Sequence, residues 1–319
     1  MAERWREIGG AVGLLGPGPR NGITDVPGVL VGHAQASSGE RTGVTVVAPP
    51  ALPARAATAV TNGVGELTAK LEIDERGRIE TPVYLCGSHA VGTVLQAAVD
   101  VSGRGPDDVV LPVVGECDDG DMADSRTVVA GDVAQALDRL GSEVPEGSVG
   151  AGTGMICFGF PGGIGTASRV VGRHCVGVLL LCNFGDRRYL DLLGSRLDAP
   201  PSPDRGSCIA VCATDAPLSA GALRRLALRS LLGLARTGSY ACEGSGEIAI
   251  AFSTQAEGAE GAEALDPFFA AAYEAAQEAV YNCLVAARPA ERLDGTMQEP
   301  FPVDAVRRLA EARAGLSEL

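Results

Sequence analysis

Lysine is almost missing from this 319-residue chain: Lys70 is the only one, and every other basic residue is arginine. A GC-rich genome accounts for that skew. Positive charge is scarce altogether, with 26 basic against 40 acidic residues and a formal net charge of −14. Such a balance, with no basic stripe, excludes the usual footprint of nucleic-acid binding or of attraction to an anionic membrane. Long apolar runs are missing too, since none reaches the roughly 18 residues of a spanning helix. The opening MAERWREIGG lacks a basic stretch followed by an apolar one. Neither a signal peptide nor a membrane anchor is expected, and the expected compartment is the cytoplasm.

Histidine numbers only three, His33, His89 and His174, far apart and without HExxH or His-x-His spacing. That excludes the common zinc patterns. The nine cysteines form no CxxC, and several sit in apolar runs such as VGVLLLC and SCIAVCA. Buried free thiols in a reducing compartment are the expectation. Aromatics are 4%, yet 46% hydrophobic residues provide for a sizeable globular core.

Glycine is abundant, at 43 residues without any G-X-Y period. Its densest stretches are Gly150-Ala-Gly-Thr-Gly-Met155 and 159–168. As a nucleotide loop this fails, because it follows no strand, opens no helix and has no GK[ST]. A glycine hairpin shaping a pocket wall, with Gly152, Gly154 and Phe158, is expected instead. The acidic run Glu116, Asp118, Asp119, Asp121 and Asp124 lacks EF-hand spacing and is expected as a solvated turn. There is no GxSxG nucleophile elbow.

Short β-branched runs at 29–31, 43–47, 83–86, 109–114, 176–182, 208–213 and 248–252 predict strands. Helical spacing predicts helices over 125–140, 217–236, 266–287 and 303–314. The mixture without strict alternation predicts an α+β layered fold in one domain spanning 1–319. Surface loops are expected at 197–206 and 255–264.

One connection has chemical potential. The helix expected over 217–236 is followed by a glycine-containing loop, and Ser245 stands directly before an apolar strand. A plain helix–loop–strand link accounts for this, and so does an N-terminal-nucleophile site. In the latter, the Ser245 hydroxyl attacks the Gly244 carbonyl and the resulting ester hydrolyses. The freed α-amine, of reference pKa about 7.7–8.0, then serves as base for its own hydroxyl. Glycine at 244 would relieve crowding at the strained peptide.

The chain resembles the DmpA-type aminopeptidase family, which includes β-peptidyl aminopeptidases and nylon-oligomer hydrolases. The resemblance runs through Asn21-Gly-Ile-Thr-Asp-Val-Pro-Gly-Val-Leu-Val-Gly-His33, Asn62-Gly-Val-Gly-Glu-Leu-Thr68 and Gly150-Ala-Gly-Thr-Gly-Met155. It continues through Gly162-Gly-Ile-Gly-Thr-Ala-Ser-Arg169, Asn183-Phe-Gly185, Ala213-Thr-Asp-Ala-Pro-Leu218 and Ala235-Arg-Thr-Gly238. It closes on Ser245-Gly-Glu-Ile-Ala-Ile-Ala-Phe-Ser253. The resemblance implies an αββα sandwich of the DmpA and ornithine acetyltransferase-like type, with self-cleavage into 1–244 and 245–319. It also implies self-association, no cofactor, and removal of N-terminal residues from small peptides, amides or esters. Ser245 matches the nucleophile, Asn183 an oxyanion donor, and Glu278 an acid that orients the nucleophile or holds the substrate ammonium. An acid of the 116–124 cluster is the other candidate for the ammonium. Asn282, at i+4 from Glu278, is placed to brace it.

Four departures stand out. Ala276 occupies a position where relatives usually carry a hydroxyl or acid, and Pro161 one where lysine is common. Glu243-Gly244 replaces an Asn-containing pair, and Cys86-Gly-Ser-His-Ala-Val-Gly92 replaces a TNTHSVG-like stretch. They keep two further readings open: an uncleaved relative acting as a binding or scaffold protein, and an acyl-transfer enzyme of a biosynthetic pathway.

Overall fold

The side chains of β10 (His174–Asn183) decide the layering. Val178, Leu180 and Cys182 point to one side and Leu179 and Leu181 to the other, and all are fully buried. A strand apolar on both faces needs cover on both. The computed structural model, which describes residues 3–192, 194–196, 201–202, 206–255 and 264–316, provides it.

β10 lies between β9 (Gly163–Val171) and β11 (Ser207–Thr214), both antiparallel to it. β11 pairs in parallel with β12 (Gly246–Ser253), which runs antiparallel to β3 (Ala54–Gly63). The short β4 (Arg78–Ile79) completes a six-stranded sheet in the order β4-β3-β12-β11-β10-β9. A second sheet comprises β1 (Leu30–Gln35), β2 (Gly43–Ala48), β5 (Val83–Gly87) and β6 (Val113–Cys117), in that order. Between the sheets, Leu179, Ile209, Ile250 and Phe252 meet Val47, Val83, Leu85 and Val113. On the far face of the large sheet lie α4 (Ala220–Ala235) and α5 (Asp266–Ala286). Against the small sheet lie α2 (Val91–Val101) and α3 (Ala130–Asp138), through Val94, Ala98, Val133 and Ala136. Helices, sheet, sheet, helices is the expected αββα sandwich.

Several boundaries moved. The helix expected over 125–140 splits into a 3-10 turn at Ser125–Thr127 and α3. Asp132 caps the backbone N–H of Val129 at 3.0 Å and starts the helix afresh. The helix expected from Pro217 begins at Ala220, where the Ser219 hydroxyl accepts from the Ala222 N–H. The strand expected over 109–114 starts at Val113, leaving Val109 and Leu111 exposed. The C-terminal helix, α6 (Val303–Leu316), runs two residues past its expected end, and α1 (Lys70–Arg76) was not expected. Among the strands not expected, two are long. β3 is rich in alanine because Ala57 and Ala59 lie under α4, where larger side chains have no room. Gly165 in β9 lets α5 approach so closely that a Cβ there would sit 1.9 Å from the Ala279 carbonyl oxygen. Of the two expected loops, residues 197–200, 203–205 and 256–263 lie outside the described residues.

Candidate active site

The strand directions bring one end of the large sheet together. β12 starts where β10 and β3 end, because it is antiparallel to both β3 and, through β11, to β10. Gly246 pairs with Gly63, Glu247 with Cys208, and Asn183 with Ser207. Asn183 and the start of β12 are therefore separated by two strand spacings, about 10 Å.

Ser245 is buried at this strand entrance, at 2% exposure. Its N–H donates to the Cys242 carbonyl at 2.9 Å, closing a turn that leaves Glu243 and Gly244 exposed. Ala241, at φ +52°, holds left-handed backbone that costs a non-glycine residue energy. The Asn62 side-chain amide donates to the carbonyls of Cys242 (2.7 Å) and Glu243 (3.4 Å), so β3 pins the segment. The crowding expected at Gly244 is not there. A Cβ added at that position meets nothing within 4 Å.

The Ser245 hydroxyl donates to the carboxylate of Glu247, which is itself buried. Glu247 was missed in the sequence, although residues i and i+2 of extended chain share a face. Asn183, at the end of β10, is 5% exposed. Its Oδ1 accepts from the Ile156 N–H at 2.8 Å and its Nδ2 donates to the Asp118 carbonyl at 2.7 Å. One N–H of that amide remains for another acceptor.

The acidic run is not simply a solvated turn. Asp118 and Asp121 are exposed, but Glu116 and Asp119 are buried. Glu116 accepts from the Glu66 N–H at 2.9 Å and from the Ser88 hydroxyl, which fastens residues 66–68 along β6. A Cβ placed on Gly65 would lie 3.1 Å from the Glu116 carboxylate and 3.9 Å from the Gly246 Cα, so this acid stands beside the start of β12. Burial raises the Asp119 carboxyl, and the Thr42 and Ser125 hydroxyls only partly offset it.

Glu278 lies elsewhere. Its fully buried carboxylate receives Arg6 at 2.7 and 2.8 Å, Arg169 at 2.7 Å, and the Asn21 amide. Burial alone would raise its pKa; Arg6 and Arg169 overcome that and hold it below the ordinary value. Arg169 is on the rung Arg169–Val176–Thr214–Ser253, at the opposite end of the sheet from Ser245. Eight strand residues, about 26 Å, separate Ser253 from Ser245. Asn282 does not brace Glu278 either. It accepts from the Trp5 N–H at 2.9 Å and donates to the Thr166 carbonyl at 2.9 Å, tying the N-terminal segment to α5. Ala276 faces Gly233 of α4, so its missing hydroxyl belongs to a helix contact rather than to Ser245.

The glycine hairpin is real but small. Phe158 and Gly159, with φ of +50° and +72°, turn β7 (Ile156–Cys157) into β8 (Phe160–Pro161), and Phe158 packs edge-on against Phe184. Gly152 is a packing glycine, since a Cβ there would meet the Ile164 nitrogen at 2.6 Å. Gly154 and Gly159 line a cleft of about 60 Å³ together with Asn183, Asp118, Asp121 and Arg292. On the other side of β12, Gly63, Gly65, Leu67, Leu111 and Ile248 border a mostly apolar cleft of about 550 Å³. Among the described residues, no three His, Cys, Asp or Glu side chains converge on a metal position, and no helix is long and apolar enough to cross a membrane. Eight of the nine cysteines, all but Cys242, are buried free thiols.

The family model described as peptidase family S58 matches residues 21–298. The β-peptidyl aminopeptidase BapA of Sphingosinicella xenopeptidilytica is 36% identical, over 93% of this chain and 88% of that protein. A β-aminopeptidase structure from Burkholderia sp. superposes with a TM-score of 0.87 at 37% identity, covering 98% of this chain and 99% of that one. The L-aminopeptidase D-Ala-esterase/amidase from Ochrobactrum anthropi, described as a prototype for the serine aminopeptidases and a variant of the Ntn hydrolase fold, superposes at 0.83 with 32% identity and the same coverage. This protein belongs to peptidase family S58, the serine aminopeptidases built on the N-terminal-nucleophile hydrolase fold.

Proposed function

We propose that the chain cleaves itself between Gly244 and Ser245, and that the freed Ser245 removes N-terminal residues from short peptides, amides or esters. The observation that carries this is the buried Ser245 hydroxyl held on the Glu247 carboxylate at the entrance to β12. The intact chain has no free amine at Ser245, so Glu247 takes the hydroxyl proton as Oγ attacks the Gly244 carbonyl carbon. That proton passes to the Ser245 nitrogen as the peptide C–N bond breaks and an ester forms. Water then hydrolyses the ester, leaving a carboxylate on Gly244 and an amine on Ser245. In the mature enzyme this amine deprotonates Oγ for attack on substrate.

Asn183 contributes its remaining N–H to the oxyanion, a donor of the kind worth about 3–4 kcal/mol in the transition state. Glu116 takes the substrate ammonium; its place beside Gly65 and Gly246 supports this role over Glu278. The 550 Å³ cleft next to it receives the side chain of the acyl residue. The β-peptidyl relatives support a β-amino acid as that residue. The family resemblance supports self-association of the processed units, and the eight buried free thiols support a reducing cytoplasm.

Denatured intact mass of the wild type beside Ser245→Ala tests the reading. Two pieces of about 25 and about 8 kDa are expected by share of the 32.5 kDa chain, with the variant left whole. A wild type that stays whole overturns it and favours the uncleaved scaffold.

A further inference from the structure

Among the described residues, the 60 Å³ cleft that holds Asn183 has one cation in its lining, Arg292, and the proposed reaction does not use it. Arg292 sits on a turn pinned from two sides. The Leu293 N–H donates to the Asp121 carbonyl at 3.1 Å, and Arg41 donates to the Glu291 carbonyl. The turn itself closes through the Arg292 N–H on the Thr296 carbonyl at 2.7 Å. The guanidinium is less committed than its backbone. Among the described residues its ion pair is Asp121 at 3.7 Å, longer than a hydrogen bond, and its side chain is 24% exposed. A planar fork of donors, held in place and loosely paired, matches a carboxylate. The cleft has room for an end group of about that size, at roughly 30 Å³ per water-sized unit.

Position adds the direction. Glu116 and the apolar cleft lie on the β3 side of Ser245, while Asn183 and Arg292 lie on the β10 side. A substrate with its ammonium at Glu116 and its scissile carbonyl between Ser245 and Asn183 extends its leaving residue toward Arg292. We propose that Arg292 binds the free C-terminal carboxylate of that leaving residue, which makes dipeptides with a free carboxylate the preferred substrate class. The inference rests on the aminopeptidase reading above. Asp118 and Asp121 oppose a further negative charge in this cleft, so Arg292 must exchange its loose partner Asp121 for the substrate.

The test compares kcat/KM for L-alanyl-L-leucine and β-alanyl-L-leucine, each as free acid and as C-terminal amide, in wild type, Arg292→Ala and Arg292→Lys. Self-cleavage of each variant into two chains reports that it has folded. The expected result is an acid-to-amide ratio that falls about 10- to 100-fold in Arg292→Ala, mainly through KM for the acid, with part retained in Arg292→Lys. An unchanged ratio, including one in which acid and amide decline together, overturns the proposal and leaves the aminopeptidase reading standing. A processed wild type that cleaves none of the four overturns that reading and this proposal with it.

Discussion

The Ser245 hydroxyl donates to the carboxylate of Glu247, two residues further along the same chain, and both side chains are buried where β12 begins. Only the three-residue unit Ser-Gly-Glu is needed to make this contact. It gives the hydroxyl a proton acceptor in the intact chain, where Ser245 has no free amine.

Glu247→Gln keeps the size of the side chain and a carbonyl oxygen to accept the hydroxyl, but removes the base. Self-cleavage is expected to slow by about 10²- to 10⁴-fold, the usual range for loss of a general base. A time course of intact mass after synthesis reads the rate. Wild-type processing kinetics in the variant would assign the proton to another group.

Asn183→Ala is expected to lower kcat by about 10²- to 10³-fold through the oxyanion. It also strips partners from the Ile156 N–H and the Asp118 carbonyl, so thermal unfolding is measured in parallel. Loss of kcat in proportion to lost folded protein alone would make Asn183 a purely structural residue.

Glu278→Gln separates stability from chemistry. The carboxylate pairs with Arg6 and, alongside Glu274, with the buried Arg169, and breaking one side of a buried ion pair costs about 3–5 kcal/mol. A large drop in unfolding free energy is expected, with kcat of the remaining folded enzyme within a few-fold of wild type. Because the folded pKa of Glu278 is depressed, its stabilisation is present above the ordinary carboxylate range and fades as pH falls through the folded value. A kcat that collapses while stability holds would return Glu278 to the catalytic site.

His33 makes acid destabilising earlier in the titration. Burial lowers its pKa from 6.5 to about 4, so the unfolded chain takes up a proton that the folded protein refuses. Stability is therefore full above pH 6.5 and declines as pH drops toward 4, by about 3 kcal/mol at most. His33→Gln is expected to flatten the urea midpoint between pH 6.5 and 4. An equally steep midpoint in the variant would place that pH dependence on other groups.

The sequence determined by itself what depends on local pattern and on order along the chain. Apolar runs at 176–182, 208–213 and 248–252 marked three central strands, and a serine directly before the last of them marked the candidate nucleophile. The ordered motifs carried the family and, with it, the sandwich. Tertiary structure alone decided which ends of those strands meet. Asn183 and Ser245 are 62 positions apart in the chain, and the antiparallel and parallel pairings around β11 put them at the same end of one sheet. The same pairings put Arg169, and Glu278 with it, at the other end. Helical i,i+4 spacing aligned Glu278 with Asn282, yet spacing is silent on the partners each side chain meets, because Arg6, Asn21, Trp5, Thr166 and Arg169 arrive from distant parts of the chain. β3 stayed hidden for a related reason: its small side chains answer to the space left by α4, and that space exists only after the layers have packed.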